Sequence, residues 1–119
     1  MNEKRVSVRT HLLDVNIRVS DDGGKNWNDV QVKDISDGGL GFTADKEYPR
    51  GSELKLRGTV SDFARGLDIE CDIKVVFCEK IDDVYNIGAA FRGMGKVLHT
   101  ELGIFVEMVV TKYPSLLLD

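Results

Sequence analysis

The first clear pattern along the chain is an alternation of apolar and polar side chains. From Leu13 to Val19 every second residue is apolar. This pattern predicts a half-buried strand, because successive side chains of a strand point to opposite faces. The Asp-Asp-Gly-Gly run at residues 21–24 predicts a hairpin turn, since these residues tolerate positive φ. A return strand containing Val30 and Val32 is expected after it.

The return strand is expected to be irregular at one point. Ile35 breaks the parity of the apolar residues before it, which predicts a β-bulge or irregular step near Lys33 and Asp34. Leu40 and Phe42 then resume the alternation. The segment therefore indicates two strands joined by a short polar loop.

The strongest strand pattern lies in the second half of the chain. Six apolar positions at period two run from Leu67 to Phe77, and a second alternating segment runs from Tyr85 to Phe91. These two segments predict a long antiparallel hairpin, and a shorter strand is expected around residues 54–56. Six or more short strands joined by turns are typical of a small closed barrel.

The period changes after Gly95. Apolar residues there follow the three- and four-residue spacing of a helix, and they are Leu98, Leu102, Phe105, Val106 and Val109. Proline at position 114 ends the predicted helix, which spans residues 95–113. Three leucines at 116–118 follow. They either pack onto the barrel or contact a partner.

Composition and charge narrow the function classes. The chain has 119 residues, of which 42% are hydrophobic, and this predicts one domain over residues 1–119. The 16 Lys and Arg residues against 20 Asp and Glu residues give a net charge of −4. This balance argues against a nucleic-acid partner, which needs a basic surface, and leaves room for a small anionic ligand.

Two further observations bear on location. No apolar run approaches the roughly 18 residues that a transmembrane helix needs, and the start of the chain carries no apolar signal core. Cys71 and Cys78 would lie about 23 Å apart in one extended strand, too far for a disulfide. The sequence therefore predicts a cytoplasmic protein with reduced thiols and no transmembrane segment.

Three cations cluster near the N-terminus, at Lys4, Arg5 and Arg9. The guanidinium fork of arginine binds a phosphate or the O6/N7 edge of guanine with two hydrogen bonds, and it also stacks on a base. Two arginines four residues apart can close on one ligand from two sides. A solvated charged surface is the alternative that this cluster alone leaves open.

The second candidate is the Asp-Ile-Ser-Asp-Gly-Gly segment at residues 34–39. The carboxylate of Asp34 can accept hydrogen bonds from N1–H and N2–H₂ of guanine, and the hydroxyl of Ser36 can bind a phosphate or a base edge. Gly39 allows the backbone to approach a ligand closely. The same residue types also form turns, so that interpretation stays open.

Taken together, the Arg-x-x-x-Arg pair at Arg5 and Arg9 and the Asp-x-Ser-x-x-Gly motif at Asp34, Ser36 and Gly39 resemble the PilZ domain family. The Gly-x-x-Phe strand at 88–91 and a closing helix are similar to that family as well. The resemblance implies an all-β fold with a C-terminal helix, namely a six-stranded antiparallel barrel. It also implies that the ligand is cyclic di-GMP, a bacterial second messenger. No metal is expected, because no second Cys/His pair stands at ligand spacing, and no cofactor is expected.

The resemblance also implies residue roles. Arg5 and Arg9 would hold phosphates and guanine faces, Asp34 and Ser36 would contact a guanine, and Gly39 would shape the loop. Lys4 stands before the first arginine, where the residue type in this family influences whether one nucleotide or an intercalated pair binds. The stoichiometry therefore stays open.

The sequence thus predicts a receptor or adaptor in four parts: a flexible ligand-binding arm (1–9), the barrel (10–93), the helix (95–113) and a tail (114–119). Binding would change its conformation and signal to an unidentified effector protein. The alternative is a PilZ-like protein-interaction scaffold that binds no nucleotide. No cluster of metal ligands or catalytic groups is visible in the sequence, so no enzyme is expected. A homodimer stays open.

Overall fold

The computed structural model describes residues 7–10, 13–62 and 65–118. Their regular elements are β1 (Ser7–Arg9), β2 (Asp14–Ser20), β3 (Asn28–Ser36), β4 (Gly39–Ala44), β5 (Glu53–Ser61), β6 (Gly66–Ile81), β7 (Val84–Arg92), α1 (Lys96–Lys112), a 3₁₀ turn (Pro114–Leu116) and β8 (Leu117–Leu118).

Six of these strands close into an antiparallel barrel, as the sequence predicts. They pair in the order β2, β5, β6, β7, β4 and β3, and pairing of β3 with β2 completes the ring. Along one edge β3 pairs with two different strands: residues 28–30 pair with β2 and residues 34–36 pair with β1. We call the point between these two pairings the fork of the barrel. On its other side β1 pairs with β8.

Helix α1 is held by packing on the barrel. The helix begins after Gly95 with no side-chain cap, and the four residues that it buries are Leu102, Phe105, Val106 and Val109. These are residues that the three- and four-residue spacing assigns to the inner face, so the predicted helix is confirmed. No helix within the described residues has the length and apolar character needed to cross a membrane.

The predicted hairpin turn and the predicted bulge in β3 are confirmed. The register of β3 against β4 shifts between Val32 and Asp34. The extra residue is Lys33, and it allows both Val32 and Ile35 to point into the core, where they are 8% and 1% exposed. Asp34 is thereby directed to the outer surface of the barrel.

The predicted alternation along β6 is wrong at its last apolar position. A second bulge between Val75 and Phe77 changes the parity, so that Val75 is 1% exposed and Phe77 is 50% exposed. The sequence could not reveal this bulge, because residues 75–78 are all apolar and fit either parity.

The N-terminal segment and the leucine tail meet in the structure. Val8 in β1 lies opposite Ile35 on one side and Leu117 on the other. Val8 is completely buried, so the last three residues of the expected flexible arm belong to the sheet. Leu116 is also completely buried, which confirms packing onto the barrel for this residue of the tail.

Candidate functional site

Strand pairing brings Arg9 and Asp34 together. The two residues lie directly opposite each other in the β1–β3 ladder. Their neighbours Val8 and Ile35 point into the core, so Arg9 and Asp34 both point outward. Directly opposed side chains on one face have Cβ atoms about 4.5–5.5 Å apart. The two predicted motifs therefore converge on one place, although they are far apart in sequence.

The side chains of Arg9 and Asp34 make no polar contact with the described residues around them. Within the described part of the chain, Arg9 and Asp34 have no hydrogen-bond or ion-pair partner for their side chains. Arg9 is exposed and Asp34 is half-buried. A guanidinium and a carboxylate in this state are available to the acceptors and donors of a ligand.

Thr10 fixes the position of Arg9. The backbone N–H of Thr10 donates to the carbonyl oxygen of Lys33 at 3.1 Å, and its hydroxyl donates to the carbonyl oxygen of Val32 at 2.8 Å. Thr10 is 6% exposed, so both hydrogen bonds are shielded from water. They attach the end of β1 to the bulge beside Asp34. The sequence analysis missed this residue, since its role depends on a long-range pairing.

Gly41 leaves room for the carboxylate of Asp34. The two residues are paired in the β3–β4 ladder, and a Cβ atom at position 41 would lie 2.8 Å from Oδ2 of Asp34. Gly39, which the sequence analysis assigned to ligand approach, has a packing role in the structure. A Cβ atom there would collide with the carbonyl oxygen of Ala89 in β7.

Ser36 takes part in the loop between β3 and β4. It is 7% exposed, its hydroxyl donates to the carbonyl oxygen of Gly39 at 3.4 Å, and it accepts from the backbone N–H of Gly38 at 3.2 Å. The backbone N–H of Phe91 donates to the carbonyl oxygen of Gly38 at 2.9 Å and ties the loop to β7. The turn interpretation therefore holds for Ser36, whose oxygen keeps capacity to accept one more hydrogen bond.

A groove of about 620 Å³ opens where β1 and β2 diverge along β3. Its lining combines charged and apolar side chains, among them Arg9, Lys33, Asp34, Leu13, Val15 and Val30. Five of the nine lining residues are polar or charged, so the groove offers a ligand both hydrogen-bonding groups and apolar contacts. The remaining predicted site residues, Lys4 and Arg5, lie outside the described residues.

The fold and these motifs define a PilZ-type barrel. A protein-family model described as "PilZ domain" matches residues 3–107, and the chain therefore belongs to the PilZ domain family. No curated protein matches the chain.

Solved structures share the fold at low sequence identity. The inhibitor of motility MotI/DgrA of Bacillus subtilis superposes with a TM-score of 0.78 and 10% identity, over 95% of this chain and 53% of that one. YcgR of Escherichia coli in complex with cyclic di-GMP gives 0.73 and 10%, over 97% and 49%. The K. pneumonia MrkH–cyclic di-GMP complex gives 0.73 and 16%, over 97% and 55%. This chain thus spans about half the length of these three proteins.

Proposed function

We propose that this chain is a receptor for cyclic di-GMP. The observation that carries the proposal is the pairing of Arg9 with Asp34, both without a protein partner among the described residues and both lining the groove at the fork of the barrel. The presence of cyclic di-GMP in the YcgR and MrkH complexes, which share this fold, supports the choice of ligand.

Asp34 recognises the guanine base in this proposal. An ionised carboxylate only accepts hydrogen bonds, and guanine presents two adjacent donors at N1–H and N2–H₂. Adenine lacks this donor edge, so Asp34 favours guanine over adenine. Its carboxylate lies over Gly41, which has no side chain of its own to occupy this space.

Arg9 supplies the positive charge for the phosphates. Its fork can bind two phosphate oxygens at once, or it can stack on a guanine face. We propose that Lys4 and Arg5 also contact the nucleotide, that Ser36 binds a guanine or a phosphate, and that Gly39 shapes the loop. A site with cations on one side and a carboxylate on the other suits a ligand with anionic phosphates and donor-bearing bases.

Binding would signal to an effector protein by a change in conformation, with the chain acting as a receptor or adaptor in the bacterial cytoplasm. Two contacts connect the site to surfaces that a partner can reach. Strand β1, which carries Arg9, also pairs with β8 through Val8 and Leu117. On α1, Nε2 of His99 lies 4.0 Å from Oδ2 of Asp37 in the motif loop. In this proposal, these two contacts are the routes by which a ligand at Arg9 and Asp34 would change the surfaces of β8 and α1.

Isothermal titration calorimetry with cyclic di-GMP, cyclic di-AMP and GTP tests the ligand. We expect saturable binding of cyclic di-GMP that is much tighter than binding of the other two nucleotides. The titration also gives the number of nucleotides bound per chain. Absence of binding by a correctly folded sample would exclude the receptor and leave a protein-interaction scaffold.

Amide hydrogen exchange tests the proposed change in conformation on nucleotide binding. We expect cyclic di-GMP to increase protection across residues 3–6, because residues 7–10 are already paired with β3, and to leave the strand from Leu67 to Phe77 almost unchanged. Equal protection of residues 3–6 with and without nucleotide would contradict a conformational signal from this segment.

A further inference from the structure

Helix α1 carries a second line of side chains besides the one that packs on the barrel. Five residues follow one another at steps of three or four, which places them on one face of the helix. They are Val97, Glu101, Ile104, Met108 and Lys112. None of them is among the residues that the helix buries against the barrel. We call these five residues the outer stripe.

The outer stripe exposes three large apolar side chains. Val97 is 73% exposed, Ile104 is 50% exposed and Met108 is 43% exposed. Single apolar residues are common on protein surfaces, but these three lie in line along one helix face, and only another molecule would shield them from water. The stripe therefore has the character of a helix-packing surface.

Charges of opposite sign lie on either side of Ile104 and Met108 in this stripe. Glu101 is exposed and has no side-chain partner among the described residues. Nζ of Lys112 lies 3.9 Å from Oδ2 of Asp62, and the Lys112 side chain is 46% exposed. Because an ammonium group has three N–H donors, Lys112 can contact a second carboxylate as well.

The order of these residues fits a second copy of the same helix that runs antiparallel to the first. A two-fold axis that brings Ile104 opposite Met108 of the other copy crosses the helix at the level of residue 106. An axis that brings Glu101 opposite Lys112 of the other copy crosses it midway between residues 106 and 107. At the rise of an α-helix these two levels differ by only about 0.8 Å, so one arrangement makes both contacts.

We propose that the outer stripe is the contact surface of a homodimer, in which the α1 helices of two copies pack antiparallel. A two-fold contact requires a surface that matches itself, because every contact is made twice. The outer stripe does so with both its apolar and its charged residues, which a surface for an unrelated partner would not need to do. None of these residues lines the groove beside Arg9 and Asp34, so the dimer does not depend on the nucleotide.

Sedimentation equilibrium without nucleotide, over a wide range of protein concentrations, tests the dimer. We expect the wild type to show a reversible equilibrium between monomer and dimer. Ile104→Glu should weaken the dimer by about tenfold or more, because it places a carboxylate among apolar side chains twice in each dimer. A wild type that stays monomeric up to millimolar concentrations would overturn the proposal and leave the outer stripe to a different protein.

Charge reversal tests the antiparallel arrangement. Glu101→Lys brings a cation to Lys112 of the other copy, and Lys112→Glu brings a carboxylate to Glu101 of the other copy. Each variant alone should dimerise about three- to tenfold more weakly than the wild type. An equimolar mixture of the two variants restores opposite charges at both contacts, so it should form heterodimers about as tightly as the wild type dimerises.

Glu107→Lys is the matched control, since it makes the same charge change at an exposed position of α1 outside the outer stripe. It should dimerise like the wild type. Glu101→Lys leaves the contact between Lys112 and Asp62 in place, so its result does not depend on the stability of Lys112→Glu. If Glu101→Lys dimerises as tightly as Glu107→Lys, or if the mixture associates no better than its two components, the antiparallel arrangement is wrong.

Discussion

Asp22, in the turn between β2 and β3, and Asp34, within β3, differ in the hydrogen bonds that their carboxylates accept. Oδ1 of Asp22, in the turn before β3, accepts hydrogen bonds from the Ser20 hydroxyl and from the backbone N–H groups of Lys25 and Asn26 at 2.8–3.0 Å. Its Oδ2 accepts from the side-chain amide of Asn26 at 2.8 Å. Asp34, near the other end of β3, has no side-chain partner among the described residues.

The backbone around each aspartate explains this difference. The chain after Asp22 turns back, so that the free N–H groups of residues 25 and 26 point at the carboxylate, as in other aspartate-stabilised turns. These donors, with the backbone N–H of Asn26 contributing most, hold the pKa of Asp22 well below its usual range. Asp34 lies inside a strand between β1 and β4, and its carboxylate receives no such donor. Asp22 holds a turn, and Asp34 keeps a carboxylate without a partner among the described residues, which is the state that the proposed ligand contact requires.

Arg9→Ala should give the largest effect on binding. A hydrogen bond to a charged group contributes about 1.5–3 kcal/mol, so the affinity for cyclic di-GMP should fall by about tenfold or more. The free energy of unfolding should change by less than about 0.5 kcal/mol, because the side chain is exposed. Arg18→Ala is the control, since Arg18 is an exposed arginine that pairs with Asp29 on the barrel surface. Equal affinities of the two variants in calorimetry would show that Arg9 does not contact the nucleotide.

Asp34→Ala should reduce both the affinity and the preference for guanine. The carboxylate matches the donor edge that adenine lacks, so the ratio of the dissociation constants for cyclic di-AMP and cyclic di-GMP should fall towards one. Asp22→Ala should keep the wild-type ratio. If Asp34→Ala also keeps it, Asp34 is only a structural residue and the contrast between the two aspartates disappears.

Gly41→Ala should weaken binding without removing a ligand-contacting group. The added Cβ atom would lie 2.8 Å from Oδ2 of Asp34 and would push the carboxylate aside. We expect a loss of affinity of a few-fold, smaller than that of Asp34→Ala, with most of the guanine preference retained. If binding is unchanged, the nucleotide does not depend on the position of the Asp34 carboxylate over Gly41.

Asp22→Ala should leave binding unchanged and lower the melting temperature. The variant loses the hydrogen bonds that organise the β2–β3 turn. Because folding lowers the pKa of Asp22, its stabilising effect is present above the ordinary pKa of an aspartate and is lost as the pH falls through the folded value. The difference in melting temperature between the wild type and Asp22→Ala should therefore be largest at neutral pH and should decrease in strong acid. A difference that is independent of pH would contradict the assigned role of the carboxylate.

The alternation of apolar residues was sufficient to predict the barrel strands, and their three- and four-residue spacing was sufficient to predict the helix. Ile35 revealed the bulge in β3 because its parity conflicts with that of Val32. The bulge at Val76 could not be predicted, since the surrounding residues are all apolar, and so the outward position of Phe77 was missed. The convergence of Arg9 with Asp34 depends on the register between β1 and β3, which no local pattern contains. The resemblance to the PilZ family was therefore needed to join the two motifs.

Amide chemical shifts of the ¹⁵N-labelled protein, followed during titration with cyclic di-GMP, test most directly whether the pairing of Arg9 with Asp34 is the nucleotide site. We predict the largest changes at residues 9–10 and 33–41, while residues 20–26 around Asp22 stay near their original positions. Changes centred elsewhere on the barrel, or saturation without any change at residues 9 and 34, would contradict the proposed site.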